Sequence, residues 1–102
     1  MRSPSLAVEA YNQVLIIFRA GSDVAGEIDT LKSMTKIHLD WFDYPAAATT
    51  SKVLLSLVTS SNDVELVLQD LAYIYDRTKQ PLEAIDVRQK LSLIYRQRNE
   101  IS

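Results

Sequence analysis

The scarcity of helix-breaking residues limits how this chain can fold more than any other feature. Its 102 residues include only two glycines and three prolines, the two residue types that most often interrupt regular structure. Apolar residues recur at intervals of three and four, for example at Leu68, Leu71 and Tyr75, which places their side chains on one face of a helix. No segment of the sequence shows the strict apolar–polar alternation of a half-buried strand. The sequence therefore predicts an all-α fold.

Prolines and aspartates divide the sequence into segments of helical length. Pro4, Pro45 and Pro81 occur where a first helical turn would begin, a position that tolerates a missing amide hydrogen. Asp23 and Asp63 precede apolar segments, where an aspartate side chain can accept hydrogen bonds from the free amides of a helix start. Because the connections are short, successive helices are expected to lie antiparallel. The predicted helices span residues 4–20, 24–42, 45–59, 64–79 and 81–98.

Composition argues against several classes of protein. Thirteen acidic and 11 basic residues give a net charge of −2, which disfavours nucleic acid or an anionic membrane as the main partner. The chain has no cysteine, so it offers no disulfide, thiol nucleophile or cysteine-containing zinc site. The longest apolar run, residues 14–18, is far shorter than the roughly 18 residues of a membrane-spanning helix. We therefore expect one cytoplasmic domain over residues 1–102, without a cofactor or a metal.

The sequence also repeats itself with a period of 37 residues. The shift matches small side chains with small ones and large side chains with large ones. Stacked helical hairpins need such a pattern, because small residues let two helices approach and large apolar residues fill the space between hairpins. The matched pairs are Leu31 with Leu68, Met34 with Leu71, Thr35 with Ala72, His38 with Tyr75, Ala47 with Ala84, and Leu54 with Leu91. The same shift pairs Ala10 with Ala47 and Ile17 with Leu54, which extends the repeat to the first segment.

In these residues the sequence resembles the tetratricopeptide repeat family. The clearest repeat is LQDLAYIYDRTKQPLEAIDVRQKL, residues 68–91, with the family's large, small and aromatic positions along a first helix and alanine in a second. The resemblance implies antiparallel hairpins stacked as a short right-handed α–α superhelix of about five helices. Residues 4–20 would be the second helix of an incomplete repeat, and residues 24–59 and 64–98 would be two repeats. Such a chain could be part of a longer array.

The match departs from the family in four respects. The period is 37 residues rather than about 34. The turn glycine is replaced by Phe42 or Lys79, and the aromatic residue of the second helix is replaced by Ser51 or Arg88. The aromatic residue of the first helix is replaced once, by His38. These departures affect the exact register, whereas the period and the alanine and leucine positions still agree.

The resemblance also implies a binding surface, because the first helices of such repeats line a concave groove. The predicted partner-binding residues are Lys32, Lys36 and Asp40 in one repeat, and Gln69, Tyr73 and Arg77 in the next. Lys32 and Lys36 lie four residues apart, so they share a helix face that could bind a carboxylate or an acidic peptide. Tyr73 adds an aromatic ring, and Arg77 adds a planar guanidinium. The alternative is that each residue simply belongs to a solvated helix face.

His38 is the only histidine and so the first residue to consider for catalysis. In the repeat register it takes the position of Tyr75, a half-buried site where its polar tip would find a hydrogen-bond partner. A catalytic site would need an orienting carboxylate, Asp40 or Asp43, and an activated nucleophile. Asp40 is two residues away and so on another helix face, and no glycine-flanked serine is present. We therefore expect no enzymatic activity.

Trp41 and Phe42 correspond to Thr78 and Lys79 in the next repeat. They could fill a buried joint, or they could form an exposed apolar patch that contacts another protein. The sequence thus predicts a non-catalytic scaffold that binds a peptide or helix of a partner protein in a groove. The alternative is an oligomerisation or structural segment of a larger protein, for which apolar residues of the last segment, such as Leu93, provide the motive. RNA binding would require a basic groove, which the charge balance disfavours.

Overall fold

The computed structural model of the chain describes residues 4–101. These residues form helices α1 (Pro4–Ala20), α2 (Val24–Asp40), α3 (Tyr44–Leu57), α4 (Ser61–Arg77) and α5 (Pro81–Ile101), and they include no strand. The all-α prediction is confirmed, and each predicted helix is present with both ends within three residues of the expected bounds. No helix among them has the length and apolar character needed to cross a membrane.

The helices form two compact units, one made of α1, α2 and α3, and the other of α4 and α5. In the first unit α2 packs against both α1 and α3, and in the second α5 packs against α4. Each packed pair is consecutive in the chain and is joined by three residues. Such short connections make the packed neighbours antiparallel.

The turns after α1, α2 and α4 share one backbone geometry. Each contains a residue in the left-handed conformation, namely Ser22 (φ 56°), Phe42 (φ 60°) and Lys79 (φ 57°). The amide of the following residue donates to the carbonyl five residues earlier, as from Asp43 to His38 at 2.8 Å. This is the Schellman motif, which satisfies the last carbonyls of a helix and usually contains glycine at the left-handed position.

These turns explain why two helices end earlier than the sequence predicts. Helix α2 ends at Asp40 and α4 ends at Arg77, each two residues before the predicted end. The difference arises because Phe42 and Lys79 are in the left-handed conformation, which an α-helix cannot contain. Phe42 and Lys79 thus accept a backbone conformation that usually requires glycine.

Side chains cap the starts of α2 and α4. The Asp23 carboxylate accepts a hydrogen bond of 2.9 Å from the Gly26 amide, as predicted. The prediction that Asp63 caps α4 is wrong, because Ser60 Oγ accepts a bond of 3.1 Å from the Asp63 amide. Serine caps a helix about as well as aspartate does. The Asp63 carboxylate then lies in the first turn of α4, where its negative charge interacts favourably with the positive end of the helix dipole.

The core of the first unit depends on a close approach between α1 and α2 and on hydroxyl contacts between α2 and α3. A Cβ atom on Gly26 would lie 2.6 Å from ring carbons of Phe18, so any larger residue at this position would force the Phe18 ring to move. The hydroxyls of Thr35 and Thr50 lie 2.7 Å apart in the buried contact between α2 and α3. The buried apolar residues of this unit are Leu15, Leu31, Met34, Ala47 and Leu54.

The second unit combines an apolar core with a polar network. Glu65 on α4 forms an ion pair with Arg98 on α5 and accepts a hydrogen bond of 3.3 Å from the Tyr95 hydroxyl. Arg88 on α5 forms an ion pair with Asp76 on α4. These contacts fix α5 against α4 near both ends of the contact. The buried apolar residues are Val58, Val67, Leu68, Leu71, Ala72, Ile74, Tyr75, Ala84, Val87 and Leu91.

Burial follows the 37-residue register from α2 to α5. All six matched pairs, from Leu31 with Leu68 to Leu54 with Leu91, are buried in both hairpins. The register does not extend to α1, because Ala10 is exposed and Ile17 is 68 % exposed, whereas Ala47 and Leu54 are buried. The prediction that Ala10 and Ile17 fill equivalent core positions is wrong. Helix α1 packs only against α2 among the described helices, and Leu15 is its buried apolar residue.

Candidate functional site

The predicted partner-binding residues occupy equivalent exposed positions on α2 and α4. Each residue on α4 follows its counterpart on α2 by 37 positions, and within each helix the three residues are four apart, so each set forms one stripe. All six side chains are exposed. The α2 stripe consists of Lys32, Lys36 and Asp40, and the α4 stripe consists of Gln69, Tyr73 and Arg77.

The α4 stripe presents a ring and a cation that contact each other. The guanidinium carbon of Arg77 lies 5.1 Å from the centroid of the Tyr73 ring, a cation–π arrangement. Gln69 is engaged differently, because its amide nitrogen donates to Glu65 Oε2 at 3.1 Å and to the Tyr95 hydroxyl at 3.3 Å. Gln69 thus belongs to the network that holds α5, while Tyr73 and Arg77 offer stacking and bidentate hydrogen bonding to a ligand.

A half-buried carboxylate lies beside the α4 stripe. Burial raises the pKa of Asp70 above its ordinary value of 3.8, because loss of solvent penalises the ionised form. At neutral pH the ionised carboxylate therefore lowers the stability of the fold. Sequence reasoning did not single out Asp70, since a single polar residue in an amphipathic helix gives no sign of how deeply it is buried.

His38 is buried, with 9 % of its surface exposed, in the position equivalent to the buried Tyr75. Its Nδ1 lies 3.9 Å from Oδ2 of Asp43. The Asp43 amide donates to the His38 carbonyl, and Asp43 Oδ1 accepts a bond of 3.3 Å from the Ala46 amide at the start of α3. The predicted burial of His38 is confirmed. Of the two carboxylates considered as its neighbour, the one that lies near its ring is Asp43 and not Asp40. The His38 carbonyl and the Asp43 amide and carboxylate thus provide the hydrogen bonds of the turn between α2 and α3.

Trp41 and Phe42 are exposed at the turn between α2 and α3, by 51 % and 73 %. The structure thus selects the exposed patch over the buried joint, the two alternatives that the sequence left open. The Phe42 ring meets the Tyr44 ring edge to face, with centroids 6.5 Å apart and an interplanar angle of 67°. We refer to Trp41, Phe42 and Tyr44 as the aromatic turn.

Sequence reasoning missed the large apolar side chains that α1 exposes, which are Leu6, Ile16 and Ile17. Helix α5 separately exposes Leu82 and Leu93, of which Leu93 was named from the sequence. The signal for α1 was present, because the uninterrupted apolar run of residues 14–18 places large side chains on more than one face of a helix. Large exposed apolar patches commonly contact other proteins.

No group of three or more histidine, aspartate or glutamate side chains suited to holding a metal ion occurs in the described part of the chain. Comparisons with known proteins identify no relative of the chain. No protein-family model matches the chain, and neither a curated protein nor a solved structure matches it significantly. The resemblance to tetratricopeptide repeats therefore rests on the residues of the 37-residue register, and function has to be argued from the surfaces described above.

Proposed function

We propose that the chain is a non-catalytic protein-binding scaffold of the tetratricopeptide type, whose hairpins stack as a short right-handed superhelix. The observation that carries the proposal is the shared register, in which six residue pairs 37 positions apart are buried in both hairpins. In repeat proteins an equivalent core makes the exposed positions equivalent as well. The α2 stripe and the α4 stripe would then be two copies of one binding surface.

The side chains on the two stripes indicate what such a surface would bind. Lys32 and Lys36 favour carboxylates, and Tyr73 and Arg77 are of the residue types most enriched where interfaces bind strongly. The ligand would be a peptide or helix of a partner protein with acidic side chains beside an apolar or aromatic one. In the proposed scaffold this segment would lie in a concave groove formed by the first helices of the repeats.

A paired comparison of variants tests the proposal. Lys36→Glu combined with Tyr73→Ala reverses one charge and removes one ring on the stripes. Arg96→Glu combined with Leu93→Ala makes the matched changes at exposed positions of α5. In affinity capture from cells that express the protein, a partner should be retained by wild type and by the α5 variant. The amount of that partner retained by the stripe variant should fall by at least about tenfold.

Circular dichroism of both variants checks that their helices remain intact. A partner that the folded stripe variant retains as well as wild type does would refute binding by the stripes. The comparison also separates the two surfaces, since loss of the partner in the α5 variant alone would assign binding to α5.

Oligomerisation is a second candidate function, favoured by the exposed apolar side chains of α1 and α5. Leu6, Ile16 and Ile17 on α1 and Leu82 on α5 are all more than half exposed. Covering such side chains with a second copy of the chain would remove apolar surface from water. Sedimentation equilibrium tests this candidate, because a species of 11.5 kDa at every concentration would exclude it. An oligomer that Ile17→Lys dissociates would support it.

A further inference from the structure

The turn between α2 and α3 contains two residues that oppose local stability. Phe42 has a φ of 60°, in the left-handed region that penalises a bulky side chain by roughly 1–2 kcal/mol. Asp40 is the last residue of α2, where its negative charge faces the negative end of the helix dipole. Residues that break local rules without an evident structural gain are concentrated at functional sites.

The equivalent turn after α4 shows that the backbone geometry does not demand these residues. Arg77 replaces Asp40 there and complements the helix dipole, and Lys79 replaces Phe42 with nearly the same φ. In the turn after α1, the left-handed residue is Ser22. Phe42 at the left-handed position and Asp40 at the helix end are therefore specific to the turn after α2.

The backbone holds the rings in position rather than leaving them on a loose loop. The amide of Trp41 donates to the Ile37 carbonyl, and that of Phe42 donates to the Leu39 carbonyl, both at 3.1 Å. With the bond from the Asp43 amide to His38, every residue of the turn is tied to α2. A pre-ordered aromatic surface binds a ligand at a lower entropic cost than a mobile one.

Charge indicates which ligand this surface favours. Asp43 is already used, by the Ala46 amide and by His38. Asp40 is exposed, and no lysine, arginine or histidine among residues 4–101 lies at ion-pair distance from it. An exposed carboxylate beside exposed rings favours a cationic group over an anionic one as its immediate contact.

We propose that the aromatic turn, together with Asp40, is a docking site for an arginine side chain of a partner protein. The guanidinium plane would stack on the ring of Trp41 or Phe42 and donate hydrogen bonds to the Asp40 carboxylate. Arginine fits better than lysine because its planar group stacks on aromatic faces and matches a carboxylate with two donors. All residues of the site lie within the first unit, and Asp40 is shared with the α2 stripe.

The test uses Trp41, the only tryptophan of the chain, as a reporter of its own surroundings. The full chain is titrated with acetyl-Ala-Arg-Ala-Arg-Ala-amide, and with the lysine peptide of the same length and charge. The readouts are Trp41 fluorescence and the NMR resonance of its indole N–H. The arginine peptide should bind at least about threefold more tightly than the lysine peptide.

Three variants locate the binding. Asp40→Asn and Phe42→Gly should each weaken binding of the arginine peptide by at least about threefold. Phe42→Gly should fold well, because glycine accepts the left-handed conformation without strain. Tyr73→Ala removes a ring of the α4 stripe and should leave binding of the arginine peptide unchanged, which separates this site from the α4 stripe.

Equal affinity for the arginine and lysine peptides, or no change at Trp41 with either, would overturn the proposal. Retention of arginine binding in both Asp40→Asn and Phe42→Gly would also overturn it. The proposal would also be overturned if phosphatidylcholine vesicles shift the fluorescence of Trp41 while neither peptide does. That result would assign the turn to a lipid surface instead.

Discussion

Removal of the Ser51 hydroxyl should stabilise the fold. Ser51 is fully buried on α3, with 0 % of its surface exposed, and its Oγ has no hydrogen-bond partner among the described residues. A buried hydroxyl without a partner costs about 1–3 kcal/mol. In the second hairpin the matched position is Arg88, which is exposed, so the buried hydroxyl is particular to the first unit.

The expected gain for Ser51→Ala follows from three contributions. The variant removes the unpaired hydroxyl, and alanine has a helix propensity higher than that of serine by about 0.5 kcal/mol. Against these gains, the missing oxygen forfeits its van der Waals contacts, at a few tenths of a kcal/mol. The net change is a stabilisation of about 1–2 kcal/mol. For a domain of this size, each kcal/mol raises Tm by about 4–8 °C.

Urea denaturation followed by circular dichroism at 222 nm, a helix signal, measures this change, and Thr50→Val provides the matched control. Thr50 is the preceding residue, is also buried, and its hydroxyl contacts that of Thr35 at 2.7 Å. Loss of this contact should destabilise the protein by about 1 kcal/mol, so the two variants should change stability in opposite directions. A destabilised Ser51→Ala protein would refute the reasoning, since it would mean that the hydroxyl is satisfied by a buried water.

Three further predictions concern the backbone and charge. Gly26→Ala should destabilise the protein by about 1–3 kcal/mol in urea denaturation, because the new Cβ would lie 2.6 Å from the Phe18 ring. Adding Phe18→Leu to this variant should restore part of the lost stability. An unchanged denaturation midpoint for Gly26→Ala would contradict the close approach. Lys79→Gly should stabilise the protein by up to about 1 kcal/mol, because glycine removes the backbone strain of a left-handed residue with a side chain. Lys79→Ala keeps that strain and should not stabilise the protein. Equal denaturation midpoints for the two variants would show that the residue is not strained. Because burial raises the pKa of Asp70 above 3.8, the folded state binds the proton more tightly, and stability falls as the pH rises through that raised pKa. Asp70→Asn should therefore exceed wild type in thermal stability at pH 7, and a difference that does not shrink at pH 3 would contradict this cause.

The helices were predictable because their signals are local. Two glycines, three prolines and apolar residues at helical spacing leave few alternatives, and prolines at helix starts act through their own backbone geometry. The ends of α2 and α4 were not predictable, because Phe42 and Lys79 adopt a conformation that glycine normally occupies. Ser60 and Asp63 are both good N-cap residues, so only the structure distinguishes them.

The exposure of the predicted binding residues was predictable because helical periodicity determines it. The α2 and α4 stripes are exposed because they lie opposite buried residues such as Leu31 and Leu68. Exposure of Trp41 and Phe42 was not predictable, because aromatic residues at a helix end pack inward or outward according to tertiary contacts. Ile17 was placed in the core by the repeat, yet α1 packs only against α2 among the described helices.

Site-specific photo-crosslinking tests the central claim, that the α2 and α4 stripes bind one partner protein, most directly. Benzoylphenylalanine placed at Lys36, at Tyr73 or at the exposed Gln89 of α5 would capture whatever protein contacts each position in cells. The account predicts that positions 36 and 73 capture the same protein and that position 89 does not. Capture of different proteins at 36 and 73, or of the same proteins at all three positions, would contradict it.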